Sequence, residues 1–358
     1  MNSILVRYLT FICIVFLGVG CINQNHTPTV PLESALPTTL SPLSPASTSP
    51  LAQTVTPTPS ETPFPINILA GEIAFAGQGV DKSTGFIYSS IGVASANGQN
   101  SRYLVKVYGN ELFFYPTWSP DGSYLAYTST EVDQARENIY IASVDSKKIE
   151  RLKTGGQPVS GLAWSPDGNQ IAYSGEVGTQ SDIFIINPFT KIIKPFVYSL
   201  FPEGYPSWSP DGNQIAYLRW DLPNYGDGAH LYVMDTSGQN QIQVKGVLAS
   251  RSRISWSPDG KRIAFRSNDG CGDIYTVELD GGNLHHITNL PGGERDPVWS
   301  PDGKYLIFAA SDFVCDLSTG GEPLYARWQP YLIDSQRGQP VNLPLANDSN
   351  IFNFAWFP

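Results

Sequence analysis

The chain has 358 residues, a formal net charge of −10, 15% charged residues, 33 glycines and 29 prolines. Its length admits one large domain or two ordinary ones. The acidic balance, with no run of Lys or Arg, excludes an electrostatic nucleic-acid surface, and the aromatic, turn-rich composition favours short strands over helices.

The opening segment, MNSILVRYLTFICIVFLGVGC, places one positive residue, Arg7, before the uncharged apolar run Leu9–Gly20. Twelve such residues followed by small ones read as an export signal rather than a bilayer span. Gly20-Cys21 resembles the lipobox of bacterial lipoproteins, with Leu at position 17 and Gly at position 18. That resemblance implies lipidation of Cys21 and membrane contact through the lipid alone. Residues 22–65 are dominated by Pro, Ser and Thr, with two charges, Glu33 and Glu61. Such a segment has too little apolar surface to offset its ordering entropy and is expected to be a disordered tether. The expected organisation is therefore a signal over 1–21, a tether over 22–65 and a folded domain over 66–358.

From residue 66 onward the chain repeats. WSPDG occurs at Trp118, Trp164, Trp208, Trp256 and Trp299, and a sixth Trp stands at 356. A period of about 40–50 residues points to propeller blades or a solenoid. After each WSPDG an alternating strand follows (SYLAYTS, NQIAYSG, NQIAYLR, KRIAFRS, KYLIFAA), then a variable loop and a second strand such as NIYIASV or DIFIINP. A polar turn and a third strand precede the next Trp strand. Four strands per unit without helical periodicity make a blade. GEIAFAG (71–77) has the form of the strand after SPDG without the motif before it, and FNFAWFP (352–358) has the form of the Trp strand. The expected fold is an all-β, six-bladed propeller with four-stranded blades. Its ring is closed 3+1 by N-terminal strands and one C-terminal strand, which removes two free sheet edges.

Within WSPDG, Pro presets φ, Asp accepts from nearby backbone N–H groups and Gly takes the left-handed position. Asp121, Asp167, Asp211, Asp259 and Asp302 are accordingly read as structural turn residues, and the preceding Trp as inter-blade packing.

These repeats, W-S-P-D-G-x-x-[IL]-[AI]-[FY], resemble the TolB-type propeller, also called WD40-like or PD40, over about residues 66–358. The resemblance implies the propeller fold and, by analogy with a periplasmic scaffold, a role in binding within the cell envelope. Similar repeats occur in the propellers of prolyl-oligopeptidase-like peptidases and in oligogalacturonate lyases. The hydrolase motif G-x-S-x-G, a P-loop and H-E-x-x-H are all missing from this sequence.

The four histidines, His26, His230, His285 and His286, are too scattered to form a metal cluster. No catalytic residue, metal or cofactor is assigned. Cys271 and Cys315 fall in equivalent loops of adjacent blades, a disulfide candidate in an exported protein.

One propeller face carries the short SPDG turns and the other carries loops of varied length, the type of segment that carries function. Arg219, Trp220, Asp221, Tyr225, Glu294, Arg295, Asp296, Phe313, Arg327 and Trp328 fall there and include residue types enriched at binding hot spots. Glu203, Glu294, Asp296 and Asp221 are expected to form an acidic rim around the channel mouth. The expected function is that of a monomeric, non-enzymatic module binding a protein or cell-envelope component through this face. The alternatives are a polysaccharide-active enzyme, of lyase or glycosidase type, or a sugar or small-ligand sensor, using the central channel.

Overall fold

A computed structural model describes residues 66, 69–131, 136–154, 158–178, 180–197, 199–221, 228–312, 327–336, 338–345 and 349–358. Within them lie six four-stranded antiparallel sheets. Blade 1 combines β24 (Ser349–Phe357) with β1 (Glu72–Val80), β2 (Ile87–Ser95) and β3 (Arg102–Tyr108). Blade 2 is β4 (Leu112–Trp118), β5 (Tyr124–Glu131), β6 (Arg136–Ser143) and β7 (Ile149–Leu152). Blade 3 is β8 (Val159–Trp164), β9 (Ile171–Val177), β10 (Gln180–Ile186) and β11 (Ile193–Val197). Blade 4 is β12 (Glu203–Trp208), β13 (Gln214–Arg219), β14 (His230–Asp235) and β15 (Ile242–Gln243). Blade 5 is β16 (Ser255–Trp256), β17 (Arg262–Arg266), β18 (Ile274–Glu278) and β19 (His285–His286). Blade 6 is β20 (Glu294–Trp299), β21 (Tyr305–Ser311), β22 (Trp328–Asp334) and β23 (Val341–Asn342). The expected all-β fold and its 3+1 closure are thus observed: β24 pairs with β1 from Glu72↔Phe357 to Gly79↔Ser349.

The repeat is legible in packing as well as in sequence. Five blades stack a ring of their second strand on a ring of their third: Tyr127 on Tyr140, Tyr173 on Phe184, Tyr217 on Tyr232, Phe265 on Tyr275 and Phe308 on Tyr331. All five pairs are direct cross-strand partners, the geometry in which aromatic pairs add to sheet stability. Blade 1 differs. Phe75 faces Gly92, where a Cβ would come within 2.2 Å of the Phe75 ring.

The apolar core lies between blades rather than within them. One cluster joins Leu218, Leu231 and Val233 of blade 4 to Trp256, Ile263, Phe265 and Val277 of blade 5. Similar clusters bind blades 2 and 3, blades 3 and 4, and blades 5 and 6. Because each sheet buries both faces against its neighbours, no blade is complete alone.

This arrangement makes β24 a closing strand, carrying the fully buried Ile351 and Phe354. Deleting residues 349–358 is expected to abolish the cooperative thermal transition followed by near-UV circular dichroism. An unchanged midpoint would show that the ring does not depend on this closure.

Candidate functional site

The five SPDG turns satisfy their own polar groups. In the first, the Ser119 hydroxyl donates to Asp121 Oδ1 (2.6 Å), which also accepts from Ser123 N (3.1 Å), while Tyr124 N donates to Ser119 Oγ (2.9 Å). Gly122 follows at φ 71°. The same bonds recur at Asp167, Asp211, Asp259 and Asp302. In Asp121, Asp167 and Asp211 the serine hydroxyl is the largest cause holding the carboxyl below its usual range. These carboxylates are occupied in holding turns, and the site lies elsewhere.

It lies along the innermost strands. In blade 1, β24 skips Phe352 in its register with β1, and four other innermost strands carry a two-residue shift, between Phe114 and Thr117, Ser160 and Ala163, Gly204 and Ser207, and Arg295 and Val298. Inside each two-residue shift one residue takes positive φ: Tyr115 (54°), Gly161 (62°), Tyr205 (53°) and Asp296 (56°). Each stands three positions before its Trp, and in blades 5 and 1 the same position holds Arg253 and Asn353. Such bulges redirect side chains, here toward one another. Asn353 Oδ1 accepts from Tyr115 N (3.1 Å) and Asn353 Nδ2 donates to Asp296 Oδ2 (2.7 Å). Asp296 Oδ1 accepts from Arg253 N (3.0 Å) and Ser252 Oγ (3.2 Å). The Tyr115 and Tyr205 rings meet edge to face, their centroids 6.3 Å apart. They meet past Gly161, where a Cβ would lie 2.8 Å from Tyr205 Cα.

Arg253 spans the channel. Its guanidinium donates to Phe354 O of blade 1 (2.7 Å), Pro116 O of blade 2 (2.9 Å) and Leu162 O of blade 3 (3.1 Å). Six equivalent positions, one of them the crossing Arg253, thereby occupy the middle of the channel.

On the loop-rich side of this ring a horseshoe of rings runs from blade to blade. Arg295 stacks on Trp328 (3.7 Å) and lies 5.7 Å from the Phe352 ring. Phe352 meets Phe114 (5.4 Å), Phe114 meets Tyr115 (6.0 Å), and Tyr205, beyond Tyr115, meets Trp220 (6.3 Å). Arg251 closes the far end over Trp220 (5.3 Å).

Residues 69–221 match the family model described as TolB beta propeller domain. Among solved structures, TolB from Acinetobacter baumannii superposes with a TM-score of 0.63 at 19% identity, over 80% of this chain and 67% of that one. Residues 69–221 thus carry repeats like those of the TolB propeller, and the solved structures share the fold. A putative TolB from Agrobacterium tumefaciens gives a TM-score of 0.56 at 22% identity, over 81% of this chain and 99% of that one. A chain of a nidogen/laminin complex gives 0.59 at 9% identity, over 81% and 99%. No curated protein sequence matches the chain.

Within this propeller the sequence-selected face residues divide. Arg219 and the exposed Arg327 sit on the loop-rich side, and Asp221 is bound to Arg219 Nε at 2.7 Å. Trp220 and Trp328 are buried at 3% and 6% exposure, because each receives an arginine on its face. Tyr225, Phe313, Cys21 and Cys315 lie outside the described residues, whereas Cys271 is held in a disulfide. No group of three or more His, Cys, Asp or Glu is arranged to hold a metal among the described residues. Arg251, Arg253, Tyr115 and Tyr205 were not singled out from sequence. Their common signal was position, three or five residues before each Trp.

The expected acidic rim is corrected. Glu203 and Glu294 are fully buried and Asp296 is 4% exposed, since the innermost strands carry them into blade seams and the central ring. Burial, with Asp182 nearby, pushes the Glu203 carboxyl up to about 7, and the Ser199 hydroxyl bonds it. Burial and the neighbouring Asp273 raise Glu294 to about 9, while it accepts from Leu290 N (3.1 Å) and Thr288 Oγ1 (3.3 Å). Glu137, raised to about 7 by burial, ties blade 2 to Val159 N of blade 3.

These carboxyls hold their protons more tightly when folded than the roughly 4.3 of an unfolded Glu. The resulting stabilisation is complete below that value and is lost as pH rises through about 7 and then about 9. The thermal midpoint of the natural chain is therefore expected to fall, relative to the double variant Glu203→Gln/Glu294→Gln, between about pH 5 and about pH 9. A gap independent of pH would show that the two carboxyls titrate alike folded and unfolded.

Proposed function

We propose that this protein is a non-catalytic binding module that engages a protein partner of the cell envelope through the loop-rich face of its propeller. The observation that carries this reading is the contrast between the two ends of the innermost strands. Below the central ring are five self-satisfied SPDG turns. Above it stand arginines, Arg251 and Arg327 exposed and Arg219 and Arg295 half-buried, a residue type enriched among those that dominate binding energy at interfaces. Arg253, committed to three carbonyls in mid-channel, weighs against a reading in which substrate passes through or reacts there. Solvent-exposed Leu200 (91%) and Phe201 (38%), just before β12, add apolar surface on the same side.

The location belongs to the same proposal. The Leu9–Gly20 run with Cys21 fits export and lipid anchoring, and 22–65 fits a tether that holds the propeller, as a monomer, clear of the membrane. The disulfide at Cys271 suits an oxidising compartment, with Cys315 as the proposed partner. Peptide mapping without reduction should recover Cys271 linked to Cys315, and palmitate labelling should disappear in Cys21→Ser. Free thiol at Cys315, or label that survives the substitution, would overturn the respective assignment.

The binding role is tested by pull-down from solubilised envelope with the full chain. The natural chain and Lys261→Glu, altered beside an SPDG turn, are expected to retain the same envelope protein, and Leu200→Asp/Arg327→Glu is expected to lose it. Retention by all three would place binding elsewhere, and retention or cleavage of polysaccharide instead of protein would replace the scaffold reading.

A further inference from the structure

The outermost strands, with the turns that lead into them, differ in charge from blade to blade. In blades 2 and 3 these segments, residues 144–154 and 187–197, carry Lys147, Lys148, Arg151, Lys153, Lys191 and Lys194 against two acids, Asp145 and Glu150. All six cations are exposed. The equivalent segments of blades 4 and 5, residues 235–244 and 278–288, hold no Lys or Arg and three acids, Asp235, Glu278 and Asp280. A chain of net charge −10 therefore keeps one positive flank.

The fold makes a single surface of the two segments. Lys191, in the turn between β10 and β11, is ion-paired with Glu150 of β7. The Phe189 ring meets Tyr124 of β5 edge to face, with centroids 6.2 Å apart. Among the cations stand exposed apolar side chains, Phe189 (59%), Ile192 (57%) and Ile149 (44%). Lysine on an outer strand has a plain structural use, because it blocks edge-to-edge pairing. That use accounts for the charge and leaves the large apolar side chains beside it unexplained.

The flank also lies at a defined end of the propeller. Val144 N donates to Ser123 O (3.1 Å), next to the first SPDG turn. The chain enters blade 1 at that end as well. Trp356 Nε1 donates to Ala70 O (3.1 Å), and a Cβ on Gly122 of the same SPDG turn would lie 2.6 Å from the Phe357 ring.

We propose that this flank of blades 2 and 3 binds the surface of an anionic lipid bilayer, its lysines facing the headgroups while Phe189, Ile192 and Ile149 enter the interface. Negative headgroups attract a basic surface, and apolar side chains set among the lysines gain burial that a soluble polyanion does not offer. Entry of the chain at the same end lets a lipid at Cys21 and this flank engage one membrane, with the loop-rich face at the opposite end open to a partner. The proposal goes beyond the loop-face reading and stands without it.

Co-sedimentation of the full chain carrying Cys21→Ser, with vesicles of phosphatidylcholine alone or mixed with phosphatidylglycerol, tests it. Partition onto the mixed vesicles is expected to be roughly tenfold stronger and to fall as salt rises. Adding Lys147→Gln/Lys148→Gln/Lys191→Gln is expected to remove the preference, and Phe189→Ser/Ile192→Ser to weaken binding to the mixed vesicles several-fold. All these positions are exposed, and an unchanged near-UV circular dichroism spectrum checks that the variants fold. Lys261→Gln/Lys304→Gln, beside the SPDG turns of blades 5 and 6, is expected to change neither result. Equal partition onto the two kinds of vesicle, a preference that survives the triple substitution, or an equal loss in Lys261→Gln/Lys304→Gln would overturn the proposal. So would anionic binding indifferent to Phe189→Ser/Ile192→Ser, which marks a general polyanion surface. The pull-down with Leu200→Asp/Arg327→Glu reads the loop face separately, so either reading can fail without the other.

Discussion

The guanidinium of Arg253 is the interaction on which the rest of the ring depends. Blade 5 is opposite blade 2, and blades 1 and 3 flank blade 2. The three carbonyls that Arg253 reaches belong to those three blades. One side chain therefore ties half the ring to its far side. A buried charge carries a desolvation cost of several kcal/mol and is tolerated only when its donors are matched. Here three backbone oxygens accept from it, and the carboxylate of Asp296 balances its charge. Hydrogen bonds to charged groups contribute about 1.5–3 kcal/mol each, so the network holds only while all its members are present.

That commitment fills the middle of the channel and leaves its two ends. The SPDG end presents turns whose serine, aspartate and backbone N–H groups already bond one another. The loop end presents rings and arginines. Burial of Glu203 and Glu294 matters there as well. Glu294, raised to about 9, keeps its proton at neutral pH in its blade seam, whereas Glu203, raised to about 7, is about half protonated there. Stability and surface chemistry are thus linked through the same innermost strands.

The fold was legible in the sequence because its signals are local. An SPDG turn needs no contact beyond five residues, and alternation over a seven-residue strand announces two buried faces. Closure was legible because 71–77 and 352–358 read as complementary parts of one blade. Exposure was harder to read. Trp220 and Trp328 have the composition of interface anchors, yet each is covered, the first by Arg251 from the next blade and the second by Arg295 from its own. Glu294 and Asp296 sit in a segment, PGGERDP, that reads as a polar loop, although the chain there is already entering the innermost strand. The central position was least legible of all. Read in order around the ring it is Asn353, Tyr115, Gly161, Tyr205, Arg253 and Asp296, six places with five residue types and no shared chemistry. Their common role exists only once the ring closes.

This diversity follows from geometry. Six blades of similar sequence with similar seams offer many near-equivalent pairings, and a repeat made of identical units does not by itself fix which blade stands opposite which. One Arg and one Asp, placed once each, break that equivalence: Arg253 finds its carbonyls only opposite blade 5, and Asp296 finds Ser252 and Asn353 only between blades 5 and 1. Gly161 contributes by what it lacks, letting Tyr115 and Tyr205 meet across blade 3. The asymmetry that fixes the ring also shapes the mouth. Arg251 is two residues from Arg253, and Arg295 is adjacent to Asp296, whose left-handed backbone (φ 56°) redirects the strand at that point. The residues that close the propeller therefore also determine where Arg251 and Arg295 stand.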